Sequence, residues 1–123
     1  MRLEALARSA DVGRVAMPYE GVDPSEMIRH IVTQRAAGAE IADLAYAFHL
    51  WVARCFADVA QSAQAKSGAK AVVLSGGCFQ NRVLLEMMVE ALPDATVMIH
   101  EKTPANDGGL ALGQAVIAAA RCL

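Results

Sequence analysis

The chain reads as an α/β protein with parallel strands, and three observations carry that reading. Two short continuous apolar runs, 71–74 and 96–99, have the length and β-branched content of buried strands, whereas the segments around them space their apolar residues by three and four. Strand, helix, strand and helix thus alternate over the second half. A crossover helix between two strands implies neighbouring parallel strands joined by a right-handed connection. Paired glycines and small polar residues stand at both strand-to-helix junctions, Ser75-Gly76-Gly77 and Asn106-Asp107-Gly108-Gly109.

Taken in order, the first twenty residues show a short helical pattern over 2–8 and an edge-strand pattern over 14–17 before Pro18. Asp23-Pro24-Ser25-Glu26 marks a helix start: Asp23 can cap free N–H groups, Pro24 fits the first helical position, and Glu26 stands three residues after the cap. This helix runs to about residue 36 and stops before Gly38. From 40 to 65, Ile41, Leu44, Ala45, Phe48, Val52, Cys55, Phe56, Val59 and Ala63 define one face of a long helix, about 39 Å at ~1.5 Å per residue. Lys66-Ser67-Gly68 supplies a basic last turn and a glycine stop. The strand at 71–74 follows, then a helix over 82–92 closed by Pro93, the strand at 96–99, and a final helix over 108–121.

With 123 residues the chain is one domain at most, long enough to bury about two-thirds of its unfolded surface. Hydrophobic residues make up 55% and aromatics only 5%, and the mean hydropathy is +0.33. Ala, Val, Leu, Ile and Met therefore carry the apolar content, which suits helices packed closely on a sheet, or a face that needs a partner lobe. A net charge of −2, from 11 basic and 13 acidic residues without a long single-sign block, leaves no electrostatic footprint for nucleic acid or an acidic membrane. No apolar run reaches the roughly 18 residues of a membrane span, and Glu4 and Arg8 interrupt any signal-like segment, so a cytoplasmic protein is expected. Cys55, Cys78 and Cys122 are odd in number and widely spaced, as reduced thiols are, with no zinc-type cluster.

The glycine-rich junctions carry the functional signal. Without a Cβ, the main chain can approach a phosphate at the positive end of a helix dipole. Two such junctions in one short α/β unit point to a nucleotide or acyl-phosphate site. The strings Ser75-Gly76-Gly77-Cys78-Phe79-Gln80-Asn81 and Thr103-Pro104-Ala105-Asn106-Asp107-Gly108-Gly109-Leu110-Ala111-Leu112-Gly113-Gln114 resemble the C-terminal signatures of the HypF carbamoyltransferases of nickel–iron hydrogenase maturation, usually SGGVFQN and PPNDGGIALGQ. They depart from that pattern mainly at Cys78, Ala105 and Leu110. Met1-Arg2-Leu3-Glu4-Ala5-Leu6-Ala7 and Ala47-Phe48-His49 resemble the family more weakly, so the likeness spans the chain.

The resemblance implies a partial actin-like ATPase (ribonuclease H-like) lobe, with residues 1–123 a C-terminal fragment of the threonylcarbamoyltransferase-like domain, a single incomplete domain of a longer enzyme. It further implies use of carbamoyl phosphate and ATP, a carbamoyl-adenylate held in a cleft between lobes, and transfer to the C-terminal cysteine of HypE for the hydrogenase cyanide ligands. A missing upstream lobe is then needed: the fragment alone is expected to be inactive, and its uncovered apolar face favours self-association. Two other readings stay open, a related actin-like ATPase transferase or sugar kinase, and a catalytically silent interaction module.

Ser75, Gly76, Gly77, Asn81 and Gly108 are the expected nucleotide-binding residues; the bland alternative is an ordinary tight turn. Asp107, or its neighbour Asn106, can be simply an N-cap. In the related fold the aspartate at this place completes a divalent metal site with an HxxxH pair from the other lobe. This chain has no HxxxH, so Asp107 would be one ligand of a site whose remainder lies outside it. Cys78 has a strand–turn–helix setting but no nearby histidine, and reads as a packed small side chain. His30 and His49 read as structural, and Trp51, Met87 and Met88 as packing residues. His100, at the end of a strand, faces the side where ligands bind in open α/β sheets.

Overall fold

The structure, a computed structural model, describes residues 2–15 and 21–122. Its elements are α1 (Arg2–Arg8), a 3-10 turn (Val12–Arg14), α2 (Pro24–Ala36), α3 (Ile41–Ser67), β1 (Ala71–Leu74), a second 3-10 turn (Gly77–Gln80), α4 (Arg82–Glu90), β2 (Thr96–Ile99) and α5 (Gly108–Arg121). The strands pair in parallel, Ala71 opposite Thr96 through Leu74 opposite Ile99, which is the expected α/β arrangement. The edge strand expected at 14–17 is not seen over its described part. Asp11 accepts a hydrogen bond from Gly13 N at 3.2 Å and turns the chain into the 3-10 segment that includes Arg14, a local side-chain bond that competes with a strand. Residues 16 and 17 lie outside the described residues.

Helix α2 begins as its sequence requires, with Asp23 Oδ1 accepting from Ser25 N at 2.9 Å and Pro24 in the first turn. Glu26 does not complete a capping box; it bonds Arg29. Helix α3 ends at Gly68, in the left-handed region at φ 71°, whose N–H bonds Gln64 O at 2.8 Å.

The core lies where α3 meets α1 and α4. Here the expected face of α3 is corrected. Ala45, His49, Ala53 and Ala57, spaced by four, are the buried ridge, whereas Phe56 and Val59 are each 63% exposed. Small residues let neighbouring helices approach closely along that ridge, and Phe56 and Val59 lie to one side of it. Val52, Phe56, Val59 and Ala63 instead face β1 across an open apolar groove of about 420 Å³. The other face of the sheet is also uncovered, with Val73 and Met98 exposed, and α5 buries none of its residues. Among the described residues no helix is long and apolar enough to cross a membrane.

One carboxylate ties the N-terminal helix to this core. Glu4 is buried on α1, and its Oε1 accepts from Arg82 N at 3.1 Å and from the Arg8 guanidinium at 2.6 Å. Burial, the largest single influence, would raise its pKa, but the groups around it, the Arg82 amide foremost and the Arg8 charge among them, together hold the carboxyl below its ordinary 4.5. A depressed folded pKa means that the ionised group contributes stability above the unfolded value and loses it as pH falls through the folded one. Wild type is therefore expected to melt above Glu4→Gln at pH 7, and the gap to close as pH falls below 4.5. Melting temperatures of both proteins from pH 7 to 3 check this; a constant gap contradicts it.

Candidate nucleotide cleft

Two loops build the cleft. Residues 75–77 leave β1, residues 100–107 leave β2, and together with the first turns of α5 they enclose an open space of about 680 Å³. The loops are bonded directly: Gly76 N donates to Ala105 O at 2.9 Å. His100 joins them again, with Nε2 2.8 Å from Ser75 Oγ and Nδ1 3.1 Å from Thr103 Oγ1.

The two glycines of the first loop differ in their reasons. Gly76 lies at φ 105°, ψ 159°, a region open essentially to glycine alone, so the turn itself demands it. Gly77 has no positive φ, and a Cβ there would meet nothing nearer than Asn106 Cβ at 3.9 Å, an ordinary contact. The fold does not require glycine at 77. Its N–H heads the second 3-10 turn, where no acceptor exists within the helix.

Four of the residues expected to bind ligand, Ser75, Gly76, Gly77 and Asp107, line this one cleft. Two do not. Asn81 is buried and does not line it: its Oδ1 accepts from Leu84 N at 3.2 Å as the cap of α4, and its Nδ2 donates to His49 Nε2 at 2.6 Å. Gly108 is not among the lining residues, its N–H is engaged by Asn106 Oδ1 at 3.0 Å, and a Cβ there would press on that same oxygen, which would have to shift by a few tenths of an ångström. The N-terminus of α4 is already occupied. Its amides at Arg82 and Leu84 are already bonded to Glu4 and Asn81, so the negative charge at this dipole end is the protein's own.

At the start of α5 the two capping candidates separate. Asn106 bonds the Gly108 amide, while the Asp107 side chain makes no cap bond and remains exposed in the cleft. Among the described residues no three His, Cys, Asp or Glu side chains are grouped to hold a metal ion, so Asp107 can act only as one ligand among others from elsewhere.

The family model for the "Carbamoyltransferase, Kae1-like domain, second subdomain" matches residues 1–114. The chain belongs to the HypF carbamoyltransferase family. It is 43% identical, over 98% of its length, to carbamoyltransferase HypF of Rhodobacter capsulatus, and 36% identical, over 93%, to that of Rhizobium leguminosarum bv. viciae. It spans 16% and 15% of those two relatives. Two solved structures superpose with a TM-score of 0.79 over 94% of this chain and 16% of theirs: T. kodakarensis HypF, at 29% identity, and a full-length HypF described as phosphate- and nucleotide-bound, at 35%.

In this HypF chain, Glu4 and Thr103 have partners that the sequence motifs do not assign. Glu4 gives no local signal, because its partner amide is 78 residues away. Thr103 stands three residues after His100, a spacing that could have paired them. Cys78, expected to pack, is exposed beside the apolar groove. Cys55 is half-buried, and burial, with Asp58 nearby, pushes its thiol pKa up, as befits an unreactive sulfur. Trp51, Met87 and Met88 are buried as expected, and Trp51 Nε1 donates to Gly21 O at 2.6 Å.

Proposed function

We propose that this chain supplies one wall of the ATP cleft in a HypF-type enzyme that uses carbamoyl phosphate to carbamoylate the C-terminal cysteine of HypE, toward the cyanide ligands of nickel–iron hydrogenase. The observation that carries the reading is Gly77: a glycine without a folding reason, beside a junction glycine that has one, in a cleft lined by the family's own motif residues. A bare main chain at that point lets a phosphate reach the free N–H of the 3-10 turn. Ser75 adds a hydroxyl donor from the same loop. These groups position the phosphates and stabilise their charge, and no residue of this wall need become covalently attached.

Asp107 fits as one ligand of a divalent ion, because its carboxylate is exposed at the cleft and not engaged in capping. Such an ion, when bound, neutralises phosphate charge; its other ligands come from the part of the enzyme that this chain does not include. The test is a chimera in which this chain replaces the matching segment of the Rhodobacter capsulatus HypF, to which it is 43% identical. The chimera is expected to carbamoylate HypE with ATP and carbamoyl phosphate. Asp107→Asn is expected to lower metal affinity and transfer by at least tenfold with an unchanged melting temperature, in keeping with losses at metal sites generally. Unchanged metal content and transfer remove Asp107 from the metal site. A chimera that folds, binds no ATP and transfers nothing refutes the cleft reading as a whole.

A further inference from the structure

We infer that His100 is a positioning residue for the nucleotide, fixing through a Thr103–His100–Ser75 relay the direction in which the Ser75 hydroxyl points. The inference rests on the nucleotide reading of the cleft and deepens it. Both ring nitrogens of His100 have a hydroxyl partner, Ser75 Oγ at 2.8 Å from Nε2 and Thr103 Oγ1 at 3.1 Å from Nδ1. A hydroxyl can donate or accept, so the neutral ring satisfies both bonds in either tautomer. The two tautomers nevertheless leave the cleft in different states.

With the proton on Nδ1, the ring donates to Thr103 and accepts from Ser75; the Ser75 proton then points at the ring and its lone pairs face the cleft. With the proton on Nε2, the ring donates to Ser75 and accepts from Thr103; the Ser75 proton is then free to point into the cleft. A phosphate offers only acceptors, so it selects the second state. Thr103 and Ser75 lie on different loops, and the Gly76 N–H to Ala105 O bond holds those loops in register beside the relay. His100 thereby couples the orientation of the donor in one loop to a hydroxyl in the other. The ring is exposed and contributes nothing to the core, so its replacement leaves the fold intact.

The experiment uses the chimera with the Rhodobacter capsulatus HypF, with ATP as the probe. His100→Ala and Ser75→Ala are each expected to raise the KM for ATP roughly tenfold with kcat little changed, the size of one charge-assisted hydrogen bond. The double variant is expected to be no worse than the poorer single one, as for residues acting as a unit. Thr103→Ser is expected to keep the wild-type KM, and Thr103→Val to raise it. Ring 15N spectra of His100 are expected to report Nε2 protonated once ATP is bound. If His100→Ala has a KM within twofold of wild type while Ser75→Ala does not, or if the two effects simply multiply, the relay is overturned and the cleft reading stands. A wild-type chimera that binds no ATP overturns both.

Discussion

Asn81→Ala is expected to destabilise the 123-residue chain by about 2–4 kcal/mol, the sum of a lost helix cap and of a buried histidine nitrogen left without a donor. The geometry leaves little freedom here. His49 Nδ1 lies 2.7 Å from Ala45 O, which can only accept, so the ring proton belongs on Nδ1. Nε2 must then accept, and Asn81 Nδ2 is its donor at 2.6 Å. The Asn81 amide is oriented in turn by its Oδ1, which holds the Leu84 N–H. Alanine removes both bonds at once. Urea unfolding with an unchanged m-value is the measurement. A loss below about 1 kcal/mol contradicts the structural role, because that much is expected from the cap alone.

The same residue shows where sequence reasoning stops. The motif string that contains Asn81 is legible, and so are the strands, the long helix, the α2 cap and the glycine stop at Gly68, because each follows from neighbours within a few residues. What Asn81 does is not legible, since its partner His49 lies 32 residues earlier. Glu4 and Arg82 are farther apart still, and nothing local marks an acidic residue on a short helix as the anion that occupies the α4 N-terminus. The face of α3 fails for a different reason. Counting apolar residues favours the stripe with the largest side chains, but helix packing here selects the alanine ridge and leaves Phe56 and Val59 toward an uncovered groove. At the cleft, the sequence marks the right loops. It does not separate Gly76, which the turn requires, from Gly77, which it does not, nor Asn106, which caps, from Asp107, which does not.

The difference between Gly76 and Gly77 can be tested directly. A Cβ at residue 77 fits the free protein, since its nearest neighbour would be 3.9 Å away, and replacing glycine at a compatible backbone position tends to stabilise by about 0.4–1 kcal/mol through the unfolded chain. If a phosphate approaches the main chain here, the same Cβ stands in its path and separates it from the amide. Hydrogen bonds to a charged group contribute about 1.5–3 kcal/mol each, so displacing the phosphate lowers affinity by roughly a hundredfold. The measurement is ATP binding by calorimetry, beside the melting temperature, for the HypF chimera with and without Gly77→Ala. An equal or higher melting temperature with ATP affinity lowered about a hundredfold is expected; an intact Gly77→Ala protein that binds ATP as wild type does contradicts a phosphate at the Gly77 amide.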